Sequence, residues 1–86
     1  MNYFELPRIT SLSNLSEGES GTIIQVRGKP EEHRSMCCMG LAIGRSIYIC
    51  DTEKDAEGPS LMVKSGDRIA MLEKKLAKNI KVKVTR

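Results

Sequence analysis

Arg34-Ser35-Met36-Cys37-Cys38-Met39-Gly40-Leu41-Ala42-Ile43-Gly44-Arg45-Ser46-Ile47-Tyr48-Ile49-Cys50 changes its hydrophobic period partway along. Up to Gly40 the apolar side chains recur at helical spacing, Met36 with Met39 or Gly40. After Gly44 they alternate, with Ile47 and Ile49 on one side, as in a strand. Pro30 followed by Glu31 and Glu32 suits a helix start, because acids favour the positive end of the helix dipole. Gly40 suits its C-terminal stop. The stretch predicts a short helix, about residues 31–40, inserted between strands.

The same reading extends in both directions. Thr22–Arg27 is a strand opened by Gly21 and closed by Gly28, with Ile24 and Val26 sharing a face. Leu61–Lys64 and Arg68–Leu72 form a hairpin across Ser65-Gly66-Asp67. Residues 73–78 leave room for one helical turn. Ile80, Val82 and Val84 then alternate with Lys81 and Lys83 in a last strand. Asp51–Gly58 reads as a charged, solvated loop, and residues 1–10 as a lead-in interrupted by Pro7. The sum is mainly β: a small barrel of about five short antiparallel strands in a single domain over 11–86.

Composition narrows the function. The chain has 86 residues and a mass of 9.6 kDa, enough for one compact core. Tyr3, Phe4 and Tyr48 are its whole aromatic supply, which argues against a base-stacking platform or a proline-peptide groove. One histidine, His33, and no phosphate-loop or dinucleotide glycine pattern argue against an enzyme, and no catalytic set is expected. Residues 1–73 hold eight Lys and Arg against eleven acids, whereas 74–86 hold six bases and no acid. Without rings or an arginine-rich groove that excess does not predict nucleic-acid binding; lysines guarding an edge strand explain it. Neither an apolar run of membrane-spanning length nor a secretory signal core is present, so the expected location is the cytoplasm.

Soft donors are the other notable pattern. Cys37 and Cys38, with Cys50 on the next strand, are candidate ligands for iron or zinc. Against this, neighbouring helical residues point about 100° apart, and free cysteines are ordinary packing residues. Asp51, Glu53, Asp55 and Glu57 alternate as hard-cation ligands do, but lack the mid-loop glycine and the twelfth-position glutamate.

Taken together, Leu12-x-x-Leu15-x-x-Gly18, Gly21-x-Ile23-Ile24 and Arg34-x-Met36-x-x-Met39-Gly40-Leu41-x-x-Gly44 resemble the FeoA family. Gly66-x-x-Ile69-Ala70-Met71 and Ala77-x-x-Ile80-x-Val82 continue the likeness through nearly the whole chain. The resemblance implies a cytoplasmic SH3-like barrel, an accessory protein of a FeoB-type ferrous iron transporter, reaching the membrane only through that partner. The expected docking residues are Glu31, Glu32, Arg34 and Cys38 on the helix and Lys81 and Lys83 on the last strand. Two departures stand out: Met36-Cys37-Cys38-Met39 replaces leucines and an acid, and Ile43 stands where the family commonly has proline. The alternative is a free-standing metal-responsive regulator, since similar barrels end repressors of the DtxR type.

Overall fold

The computed structural model describes residues 8–55 and 58–85, with 51–55 and 58–59 described through their backbone alone. Its strands are β1 (Arg8–Ser11), β2 (Ser20–Val26), β3 (Ser46–Asp55), β4 (Gly58–Ser65), β5 (Arg68–Glu73) and β6 (Ile80–Val84). Helix α1 (Pro30–Cys38) lies between β2 and β3, and the single turn α2 (Lys74–Ala77) between β5 and β6. All ladders are antiparallel, in the order β1-β6-β2-β3-β4-β5. The fold is therefore mainly β with one short inserted helix, as the sequence implies. Among the described residues it has six strands, against the expected count of about five.

Three local readings are corrected. Arg8–Ser11 is not lead-in, because it pairs with β6 from Arg8↔Val84 to Ser11↔Lys81. β6 consequently lies inside the sheet, between β1 and β2, so Lys81 and Lys83 guard no edge. Finally, Asp51–Asp55 is strand rather than loop, paired with β4 as far as Asp55↔Gly58. The fourth acid of that alternation, Glu57, lies outside the described residues.

Two register shifts reset the alternation. Ile23 pairs with Val82 and Gln25 with Lys81, so Ile24 is an extra residue in β2. Ile23 thereby enters the core while Ile24 stays 39% exposed. In β3, Ile49 pairs with Val63 and Asp51 with Met62, which makes Cys50 the extra residue. The core is aliphatic: Ile23, Ile47, Ile49, Leu61, Val63, Leu72, Ile80 and Val82 from the sheet meet Leu12, Leu15, Met36, Leu41 and Ala77. Gly21 permits the closest approach of β2 to β6, since a Cβ there would lie 2.5 Å from Val82 Cγ1.

Helix α1 ends in a Schellman motif. Leu41 N donates to Met36 O at 2.8 Å and Gly40 N to Cys37 O at 2.9 Å, with Gly40 at φ +81°. Met36 and Leu41, joined by the bond that spans more residues, are both in the core. A Cβ at Gly40 would meet nothing nearer than 3.7 Å, so Gly40→Ala carries only the conformational cost of positive φ. It should lower stability by ~1–2 kcal/mol, read as an earlier urea midpoint at unchanged slope. An unchanged midpoint would contradict this account of the turn.

Glu19 ties β1 to the turn before β2. Its carboxylate accepts from Ser16 N at 2.7 Å and pairs with Arg8 Nη1 at 2.9 Å. The Ser16 bond, aided by the Arg8 charge and opposed by burial, holds the Glu19 carboxyl below its ordinary value near 4.5. The stabilisation is thus fully present above that value and is lost as pH falls through the depressed folded value. Glu19→Gln should flatten the acid limb of the stability–pH curve, measured by urea unfolding from neutral to acid pH. An acid limb identical to that of the parent chain would contradict it.

Candidate functional site

The conformation of α1 follows from its ends. Lys29 precedes it in extended conformation, Pro30 opens it, and Lys29 N donates to Glu32 Oε1 at 2.8 Å. Met36 is its one buried residue, so the rest of the helix surface is partly or wholly in solvent. Beyond the Schellman turn, the connector into β3 is strapped to β2. Ile23 N donates to Arg45 O at 2.9 Å, and Gly44 N to Ile23 O at 2.8 Å. Arg45 N closes the intervening turn on Ala42 O at 3.0 Å.

This strap leaves a groove of about 320 Å³ between α1, the end of β2 and the connector. Val26, His33, Cys37, Leu41, Ala42 and Ile43 line it. Ile43 is 67% exposed, the most exposed of the large apolar side chains in the described residues. An aliphatic side chain held in water by a doubly bonded turn costs hydrophobic free energy that a partner's apolar group can recover. Glu31 and Arg34 are exposed elsewhere on α1 and do not line the groove. Such a site can bind an apolar side chain. A second exposed apolar strip, Ile69 and Met71, lies on the sheet-edge strand β5.

The sequence-derived candidates separate into three places. Glu31, Arg34, Cys37 and Cys38 are exposed on α1, whereas Glu32 is half-buried with its carboxylate engaged by the Lys29 amide. Lys81 and Lys83 belong to the β1-β6-β2 ladder. Cys50 is half-buried at the bulge in β3. Among the described residues no three His, Cys, Asp or Glu side chains gather as a metal-holding group. Sequence reasoning missed the groove residues Val26, Ala42 and Ile43. Their one legible signal was an isoleucine between Gly40 and Gly44 where the resembled family commonly has proline. Among the described residues no helix is long and apolar enough to cross a membrane.

Comparison with solved structures agrees with this architecture. A crystal structure of an iron uptake regulatory protein (FeoA) superposes with a TM-score of 0.78 at 23% identity, over 90% of this chain and 99% of that one. A FeoA-like protein from Clostridium acetobutylicum gives 0.76 at 22% identity, over 94% and 92% of the two chains. A manganese-dependent transcriptional repressor gives 0.77 at 18% identity, over 91% of this chain but 42% of the repressor. At these identities the likeness is one of fold. None of the curated proteins matches the chain in sequence. The family model of the FeoA domain, however, matches residues 10–84, from the edge strand β1 to the end of β6, and the chain belongs to the FeoA domain family.

Proposed function

We propose that this protein is a non-enzymatic accessory subunit that docks on the cytoplasmic region of a FeoB-type ferrous iron transporter and biases its conformational state. The observation carrying this reading is the apolar groove beside α1 with the exposed Ile43 in its lining. Membership of the FeoA domain family and the likeness to an iron uptake regulatory protein support the choice of partner. Docking through one aliphatic anchor with a polar surround follows the usual anatomy of a protein interface. The effect on transport equals the difference in affinity for the transporter's states, typically ~1–3 kcal/mol. No bond is made or broken in the accessory protein, which is consistent with its single histidine and its lack of a catalytic motif.

Exposed positions allow a test that spares the fold. Ile43→Asp places a charge in the groove and should reduce ferrous iron uptake by cells to the level of a deletion strain. Ile69→Asp, at a similarly exposed aliphatic on β5, should leave uptake at the parental level. Parental uptake with Ile43→Asp, or loss with Ile69→Asp alone, would contradict docking through the groove.

A further inference from the structure

A second cavity, of about 430 Å³, opens where the β4–β5 turn meets the C-terminal end of α1. Its walls include Arg45, Arg68, Ser65, Gly66 and Asp67, with Cys37 at the side shared with the groove. Arg68 is fixed: its Nη1 donates to Cys38 O at 2.8 Å, covering the negative end of the helix. Ser65 is buried and donates its hydroxyl to Gly40 O at 2.9 Å, which anchors the turn beneath Arg68. Arg45 projects from the strapped connector, so its backbone is held while its side chain is exposed. Among the described residues the ion pairs are Arg8–Glu19 and Lys75–Glu73. Neither arginine of this cavity, nor Asp67, therefore has a charged partner there.

We infer that this cavity is a binding site for a phosphate group, free or carried on a small molecule, held between Arg45 and Arg68. Two arginines and one carboxylate line the same concavity, so an oxyanion entering it meets an excess of positive charge. Each planar fork offers several N–H donors; one donor of Arg68 is engaged at Cys38 O and the others remain for a ligand. Tetrahedral oxygens can bridge two forks at once, which a lone carboxylate does less completely. Asp67 suits a phosphate rather than a sulfate, because a phosphate that keeps one proton can donate its O–H to that carboxylate. The volume leaves room for the body of a small ester beside the phosphate. The site stands on different residues from the docking groove except for Cys37, and it does not depend on the transporter reading.

The experiment is an amide and arginine side-chain NMR titration of the intact chain with inorganic phosphate, phenyl phosphate and sulfate at constant ionic strength. Saturable shifts at Gly40, Arg45 and Ser65–Arg68 are expected, stronger with either phosphate than with sulfate. Tighter binding of phenyl phosphate than of inorganic phosphate identifies a carried phosphate as the ligand, and equal binding identifies the free ion. Arg45→Ala should weaken binding by about tenfold or more, the loss expected for one charge-assisted hydrogen bond. Lys78→Ala, an exposed cation outside the cavity, should leave binding unchanged. Shifts that do not saturate in the millimolar range, that spread over the lysines from 74 to 83, or that survive Arg45→Ala would overturn the assignment.

Discussion

The chain reverses direction between Met36 and Leu41 through two backbone hydrogen bonds closed around one left-handed glycine. Much of the candidate surface depends on that reversal. It sends Met36 and Leu41 into the core from opposite sides of the turn, and this is how a nine-residue helix with one buried side chain stays attached to the sheet. A helix this short is marginal alone, so its persistence comes from tertiary packing and its capped ends. The reversal also leaves the last carbonyl of α1 and that of Gly40 beyond it facing the β4–β5 turn, where Arg68 donates to Cys38 O and Ser65 to Gly40 O. The groove and the polar cavity are thus two sides of one structural device, with Cys37 lining both.

Around it, the sheet solves the problem of packing a core without aromatic rings. The described buried hydrophobics are all aliphatic or methionine, and the largest fully buried among them are Leu, Ile and Met. Residues of that size fill a thin interior only if strands approach closely, which Gly21 allows at the β2–β6 contact. Each of the two bulges turns one residue out of register. One leaves Ile24 at the surface next to Ile23, the residue that straps the connector to β2; the other sets Cys50 apart from its neighbours in β3.

Local signals were legible in proportion to how local their causes are. The helix near 31–40, the Gly66 hairpin, the turn of helix before β6 and the final alternating strand all appear, because capping residues, glycines and side-chain period act within a few positions. What escaped depends on contacts distant in sequence. Arg8–Ser11 is four residues long and follows a proline, and only its pairing with β6 makes it a strand. The interior position of β6 follows from that pairing, so the lysines at 81 and 83 could not be placed from their alternation alone. The charged run 51–55 has a loop-like composition, yet the long β4 partner draws it into the ladder. A bulge has no signature in an isoleucine pair, which is why Ile24 and Val26 read as one inward face. On the candidate site, α1 was legible as a surface. The groove was not, since it exists only where the connector returns across β2.

Family membership places the chain among FeoA domains, and the surface beside α1 is the proposed place of contact with a partner. The most direct measurement is a backbone amide NMR titration of the labelled chain with the cytoplasmic region of the proposed partner, a FeoB-type ferrous iron transporter. The account predicts shifts concentrated from Glu31 to Ile43, with the β1-β6-β2 ladder around Lys81 and Lys83 unmoved. Shifts confined to that ladder, or none at near-millimolar partner, would contradict it.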